Sequence, residues 1–276
     1  MISSIEDRLD AKLIREGMTE TARARLRHLT LLHETDSSNA YVLRLPQDQQ
    51  HAHAVLAESQ QQGKGRRQRS WHSPPGGNIY LSLGWHFAES EYPLSTLPLV
   101  SAICVCKALS RAGLAGHGIK WPNDVLVDGR KLAGILVEMQ SAGNGPATVV
   151  IGIGVNVRMP DAGSDELKSA IDRPWTDLAS RLGAESAAMS RNELVAMILD
   201  ETLSALELFQ ASGFEAFRAD WENLDLLYGN TVELEQDGQN PVGRARGVDP
   251  HGGLLLEGGD GEMRVFHSGE VSVIHG

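Results

Sequence analysis

Cysteine is nearly missing from this sequence, with two in 276 residues. Cys104 and Cys106 sit in an apolar run, and their spacing matches neither a Cys-x-x-Cys redox pair nor a zinc site. They are expected to be buried thiols in a reducing compartment. Aromatic residues make up only 5%. No uninterrupted apolar run approaches the roughly 18 residues of a membrane span, so none is expected. Residues Met1 to Arg8 carry acids where a signal peptide has a basic and then an apolar segment, which makes the cytoplasm the expected location. Positive charge is also short. The net charge of −11 opposes a general nucleic-acid binder, which needs a basic footprint.

What is present fits a soluble globular chain, 41% apolar and 22% charged. At roughly 150 residues per domain it makes one to two domains, large enough to bury a core without disulfide or metal staples. The acidity is uneven. Residues 1–159 carry 17 Lys+Arg against 14 Asp+Glu, and residues 160–240 carry 5 against 17. The front half is therefore mildly basic, and the acidic stretch reads as a solvated helical face.

Residues 5–30 read as polar helix, with Ile5, Leu9, Leu13 and Ile14 at helical spacing. They are too few for a winged-helix domain, and are either the relic of one or a packing arm. A helix is expected from about Asn39 to Leu45, capped by Asp36 or a serine. Strands are expected at His53–Glu58, Asn78–Phe87, Gly118–Trp121, Val125–Asp128, Leu132–Gln140 and Thr148–Val157, with a tight turn at Asp128 and Gly129. Leu97–Ala112 reads as a buried helix, and residues 161–225 read as helical with a capping box at Ser190 and Glu193. From Thr231 onward, short strands punctuated by Gly, Asp and Pro predict a small β-barrel. The expected class is α+β: a central mixed or antiparallel sheet with helices, then an SH3-like barrel. The expected division is a helical extension at 1–30, a main domain at 31–228 and the barrel at 229–276.

Three features could carry chemistry. The first is Gly63–Arg69, where Lys64, Arg66, Arg67 and Arg69 fall within six positions and no acid occurs from Ser59 to Ala88. Backbone N–H groups and guanidinium forks on a glycine-relieved loop suit a phosphate or a carboxylate–phosphate centre; the alternative is a solvated basic loop. It lacks the Walker A spacing. The second is Lys120-Trp-Pro-Asn-Asp124, a strand-end lysine that either neutralises a developing anion or reaches out to water. The third is Gly152-Ile-Gly-Val-Asn156, which has two glycines of a dinucleotide fingerprint and not the third. Glycines within a strand also mark close approach by a ligand or a neighbouring segment. The ten histidines show no metal spacing, and no Gly-x-Ser-x-Gly elbow or Ser-x-x-Lys occurs.

Together these elements resemble the biotin protein ligases. The shared marks are Asp36-Ser-Ser-Asn39, Gly63 to Pro74 with its Trp-x-Ser-Pro end, Lys120 to Asp124, Lys131 to Glu138 and Gly152 to Asn156. At the C-terminus, Gly247-Val-Asp, Gly253-Leu-Leu-Leu and Gly269-Glu-Val-Ser272 resemble the family's SH3-like barrel. The resemblance spans about residues 31–276. It implies that a biotin carboxylate attacks the α-phosphate of ATP, with Mg2+, to give biotinyl-5'-AMP. A lysine of a carboxylase's biotin carboxyl carrier domain then takes the biotin.

By that resemblance, Lys120 bridges carboxylate and α-phosphate, and Arg66 holds the adenylate. Ser37, Ser38, Asn39 and Gln60 line the biotin pocket, with Lys64 and Gly65 closing over it. Arg67, Arg69, Asn156 and Trp175 face the nucleotide, Trp175 beside the adenine after a loop at about 158–174, and Asn156 is a candidate for the phosphates or the metal. Four positions depart from the family pattern: Lys64 for Arg, Gln68 for Gly, Ser38 for Thr, and Ile274 where Arg is usual. The missing winged helix implies no repressor activity and no DNA partner. A homodimer through exposed strand edges stays open. The rival readings are a lipoate or octanoate ligase or transferase, a DNA-binding repressor, and a non-catalytic biotin store.

Overall fold

The structure is a computed structural model that describes residues 7–88, 91–141, 146–159, 171, 173–183, 189–236 and 238–274. Its strands are β1 (His28–Thr35), β2 (His53–Gln60), β3 (Ile79–Phe87), β4 (His117–Lys120), β5 (Asp124–Val127), β6 (Arg130–Ser141) and β7 (Ala147–Val155). They form one sheet in the order β1-β2-β3-β7-β6-β5-β4. Among the described strands the β1–β2 pair is parallel and the others are antiparallel, so the sheet is mixed. Five more strands, β8 (Thr231–Glu235), β9 (Val242–Val248), β10 (Leu254–Glu257), β11 (Met263–Phe266) and β12 (Glu270–Val273), make a second, antiparallel sheet in the order β11-β10-β9-β8-β12. This is the small SH3-like unit.

The helices are α1 (Ala11–Gly17), α2 (Glu20–Arg25), α3 (Ser38–Arg44), α4 (Gln47–Gln50), α5 (Leu97–Arg111), α6 (Leu178–Leu182), α7 (Arg191–Ser212) and α8 (Arg218–Leu224). α5 is apolar nearly all round because it lies between the sheet and α7. Gly113, at φ +90°, lets the chain leave it. In the capping box of α7, Ser190 N donates to Glu193 Oε2 at 2.9 Å and Glu193 N donates to Ser190 Oγ at 3.2 Å. The alternating residues Ile79, Leu81, Leu83, Trp85 and Phe87 of β3 join the main core. The other face of β3 is covered too: Tyr80 and Ser82 are buried, and a Cβ on Gly84 would lie 2.2 Å from Gln50 O.

Several expectations need correction. β1 begins at His28, where the spacing predicts helix through residue 30. It is a half-buried edge strand without clean alternation, fixed by parallel pairing to β2 from His28↔His53 to Thr35↔Gln60. Within the expected helix of 161–225, residues 173–177 are not helical. Lys131 N donates to Pro174 O (2.9 Å) and Thr176 N to Lys131 O (3.0 Å), so the backbone polar groups pair with β6 instead. Residues 160–170, 172 and 184–188 lie outside the described residues, and with them most of the expected loop at 158–174. The segment Leu94–Arg111 is long and apolar enough to cross a membrane by length and composition. Serine, threonine and lysine interrupt it, so it forms no unbroken apolar run. Most of it is buried in the core. The two cysteines are buried as expected, and burial pushes the Cys104 thiol up to about 12.

Residues 7–25 form a packing arm on α7. Asp10 caps α1 by accepting from Lys12 N (2.7 Å), and its own N–H donates to Asn192 Oδ1 (2.8 Å). Thr19 N donates to Asp200 Oδ1 (2.9 Å). Arg191 is 1% exposed and donates to Glu58 Oε2 (2.8 Å), Asn78 O (3.0 Å) and the Asp7 carbonyl. Arg191→Met would leave the Glu58 carboxylate without its cationic partner while the arm stays held at Asn192 and Asp200, and is expected to cost about 3 kcal/mol, read as a lower urea midpoint with unchanged slope.

Candidate active site

The β4–β5 turn, the Gly63–Trp71 loop, the segment 173–175 and the start of β12 converge on a cleft of about 540 Å3. Lys120 and Asp124 are register partners flanking the Trp121–Asn123 turn. Asn123 anchors that turn to β6, donating from Nδ2 to Ile135 O (2.7 Å) and accepting Ile135 N at its own carbonyl (3.0 Å). Trp121 Nε1 donates to Gly252 O (2.9 Å), tying the turn to the C-terminal sheet. The basic loop is a narrow hairpin. Gly65 N donates to Arg69 O (2.7 Å) and Trp71 N to Gly63 O (2.8 Å). Gly63 has to be glycine, since a Cβ there would lie 2.4 Å from Trp71 O. At the loop tip Arg67 and Gln68 have φ of +54° and +60°, a region that costs a side-chain-bearing residue roughly 1 kcal/mol.

Cations gather around the cleft. Arg66, Arg67, Arg69, Lys120, Lys131 and Arg173 line it against two acids, Asp124 and Glu270, among the described residues. Lys131 Nζ pairs with Asp124 Oδ1 at 2.7 Å and lies 5.1 Å from the Trp71 ring centroid. Arg69 grips Glu270 through two contacts, 2.7 and 2.9 Å, and Arg173 holds the same carboxylate. Arg66 donates to Asn123 Oδ1 at 3.3 Å. Burial holds the Lys120 ammonium below the ordinary lysine range; the Asp124 charge offsets part of this, and nearby Arg173 and Lys131 add to it. Burial also lowers Arg66, which stays charged at any physiological pH. For Glu270, burial pushes the carboxyl up, but the Arg173 and Arg69 hydrogen bonds and charges outweigh that and hold it low.

A smaller cavity of about 60 Å3 adjoins the cleft and shares Gly65, Arg66, Trp71, Asn123 and Lys131 with it. Its polar wall begins at the N-terminus of α3, where Ser37 caps the helix and Arg44 holds Asp36 well below the usual carboxylate range. Ser38 N and Oγ both donate to Gln60 Oε1 (2.9 and 3.0 Å), and Gln60 Nε2 donates to Ser73 Oγ (2.9 Å). Asn39 Nδ2 donates to Glu138 Oε2 (2.8 Å). Ser82 Oγ lies 2.7 Å from Ser38 Oγ and 2.5 Å from Asn39 Oδ1, with one proton for the two. The floor is glycine. A Cβ on Gly152 would lie 2.5 Å from Asn39 Oδ1, and Cβ atoms on Gly134 and Gly154 would strike the Trp71 ring at 2.9 and 2.5 Å. The Trp71 indole N–H is buried without a hydrogen-bond partner among the described residues.

The residues singled out from sequence are thus brought together. Ser37, Ser38, Asn39, Gln60, Lys64, Gly65 and Arg66 line the small cavity. Arg66, Arg67, Arg69, Lys120, Asn156 and Trp175 line the cleft. Lys120, expected to face both ligands, lines the cleft alone. Asn156 spends its N–H donors on Thr176 O (3.1 Å) and Lys131 O (3.5 Å), leaving its Oδ1 for a ligand. Trp71, Ser82, Asn123, Lys131, Glu138, Arg173 and Glu270 were not singled out. Trp71, Asn123, Lys131, Glu138 and Glu270 stood inside motifs already read, so the signal was there. Ser82 and Arg173 carry none, because only tertiary contacts bring them to the site.

Among the described residues no group of three or more His, Cys, Asp or Glu could hold a metal. The cleft's two acids are engaged by Lys131 and by the two arginines, so these side chains do not build a resident divalent site.

The biotin/lipoate A/B protein ligase family model matches residues 31–156, and that of the biotin protein ligase C-terminal domain matches residues 228–273. The bifunctional ligase/repressor BirA of Escherichia coli is 36% identical over 86% of this chain and 71% of its own length. The biotin–[acetyl-CoA-carboxylase] ligase of Paracoccus denitrificans is 34% identical over 87% of this chain and 98% of its own. The structure of a biotin protein ligase from Aquifex aeolicus in complex with biotin and ATP superposes with a TM-score of 0.74 at 27% identity, covering 91% of this chain and all of that one.

A lysine whose pKa is lowered by folding makes the charged folded state costly below that pKa, and stability rises with pH as the proton leaves. Lys120→Gln is therefore expected to raise the melting temperature at pH 7. The gain over the parent should shrink as pH rises through the Lys120 pKa, measured by thermal unfolding across that range.

Proposed function

The chain belongs to the biotin protein ligase family, and from that premise we propose how its cleft works. It is an ATP-dependent ligase that activates biotin as biotinyl-5'-AMP and transfers it to a lysine of a carboxylase's biotin carrier domain. We assign the nucleotide to the 540 Å3 cleft and the biotin ring to the small cavity. The observation that carries this is the shared wall: Arg66 lines both spaces, and Lys120 lines the cleft. A carboxylate oxygen from one side and the α-phosphate from the other meet there. The oxygen attacks phosphorus and pyrophosphate leaves. The acceptor lysine then attacks the carbonyl of the mixed anhydride, and AMP departs.

Both steps bring anions together, and fixed cations offset the repulsion. At ~4 Å an ion pair is worth about four times more at an effective dielectric near 20 than in water. The lowered pKa of Lys120 reflects a charge paid for by the fold before the ligand arrives, and an anion placed beside it restores the proton's hold. Serine, asparagine and glutamine side chains in the small cavity suit a ureido ring, with its two N–H groups and one carbonyl; a straight acyl chain would offer them no partner beyond one another. This favours biotin over lipoate or octanoate. The cavity has room for only a few waters, so we infer that the Trp71 indole and its loop move outward to admit the ring and then close over the anhydride, excluding water.

Mg2+ enters in this reading as part of the substrate, Mg·ATP, and Asn156 Oδ1 and Asp124 are the near oxygen donors. We take 31–228 as the catalytic unit and 229–276 as the C-terminal one. With a charge of −11, no DNA partner is proposed. The outer edge of β4 is covered by Asp225 and Leu226, so if a homodimer extends the sheet, β1 is the edge available to it.

Purified protein given ATP, Mg2+ and biotin is expected to release pyrophosphate and to biotinylate an apo-carrier domain, with lipoate and octanoate inert in parallel assays. Absence of adenylate at saturating substrates would falsify the ligase reading. Lys120→Ala should lower adenylate formation by about 100-fold or more with the fold intact by circular dichroism, and unchanged turnover would remove Lys120 from its role.

A further inference from the structure

Glu270 is a carboxylate of the C-terminal sheet set inside the cleft of the catalytic sheet. It stands at the first position of β12, and its side chain is 19% exposed. Arg69 Nη1 lies 2.7 Å from Oε1 and Arg69 Nη2 2.9 Å from Oε2, a fork-on-fork contact. Arg173 donates to the same Oε2. The backbone behind it is pinned: Gly269 has φ +146°, and a Cβ there would lie 2.5 Å from Leu234 Cδ1. The loop that carries Arg69 is tied to the same sheet a second time, by Arg67 Nη2 to Glu235 O at 3.5 Å.

Two guanidinium groups converging on one oxyanion make the arrangement that binds a phosphate. We propose that Glu270 is a positioning residue, an internal stand-in for the polyphosphate tail of the nucleotide, which keeps Arg69 and Arg173 paired and preset in the free enzyme and yields them to that tail. This rests on the assignment of the cleft to the nucleotide. In the free state the carboxylate prevents two like charges from facing each other unpaired. When the triphosphate arrives it takes the arginines and Glu270 is released. When pyrophosphate leaves, Glu270 recaptures both arginines, so departure exposes no bare cations. The carboxylate therefore competes with ATP on the way in and with pyrophosphate on the way out, and it has no reason to affect a ligand that lacks the β- and γ-phosphates.

Glu270→Gln keeps the shape and removes the competing charge. Calorimetric titration with inorganic tripolyphosphate and with pyrophosphate should show about tenfold tighter binding, or about 1.4 kcal/mol. AMP affinity should stay unchanged. In turnover, KM for ATP should fall and product inhibition by pyrophosphate should tighten, while Glu270→Asp returns both toward the parent. Arg173→Gln should weaken tripolyphosphate binding. Equal or weaker pyrophosphate binding by folded Glu270→Gln, or an equal tightening for AMP, overturns the proposal. If that variant does not fold, unchanged tripolyphosphate affinity in Arg173→Gln overturns it. The titrations need no biotin chemistry, so a parent protein that forms no adenylate sinks the ligase reading alone, and a failed titration sinks this one alone.

Discussion

Among the described residues six cationic side chains line one cleft and repel each other, and the way that repulsion is contained organises the rest of the molecule. Two carboxylates contain it. Asp124 holds Lys131 from the strand next door, and Glu270 holds Arg69 and Arg173 from the other sheet. Lys120 and Arg66 are left to bear the cost of burial, seen in the lowered pKa of each. A site meant for a polyanion has to be incompletely neutralised when empty, otherwise the ligand gains nothing by entering. Stability is traded for that readiness, and the buried α5–α7 layer beneath the sheet supplies the surplus.

The same cleft explains why the second sheet sits where it does. Glu270 and the Gly252 carbonyl reach the Gly63–Trp71 loop and the Trp121 turn, so the C-terminal unit completes a wall of the site. The glycines of β6 and β7 do comparable work from below. Gly134, Gly152 and Gly154 remove the side chains that would hold Trp71 and Asn39 off the sheet. A polar network of Ser38, Asn39, Gln60 and Ser82 thus lies flat against the glycine-floored strands, joined to β6 through Glu138. In such a network each member's orientation depends on its neighbours, which is how a shallow cavity acquires selectivity.

Local physics was enough for much of this. Periodicity locates β3 and α5, and turn chemistry the hairpin at Asp128 and Gly129, because those elements obey short-range rules. The capping box at Ser190 and Glu193 was legible from four residues. β1 was not, since a half-buried edge strand without alternation is defined by its partner β2. Residues 173–177 escaped for the same reason: their backbone groups are satisfied by Lys131, some forty positions earlier. In the sequence Glu270 belongs to a barrel motif, and nothing in its neighbourhood of the chain announces two arginines across the seam.

The amino-acid sequence alone determined the class of chemistry. A glycine-relieved, acid-free run of Lys64, Arg66, Arg67 and Arg69, a strand-end Lys120 and a Gly-x-Gly strand declare anion handling in a chain too acidic overall for a polymer. Charge, glycine content and turn chemistry are properties of neighbouring residues, and they survive without a fold. The tertiary structure alone decided which of those cations are paired, which are buried, and which acids restrain them. Electrostatic energy depends on distance and on the surrounding dielectric, and both are set only when segments far apart in the chain come into contact.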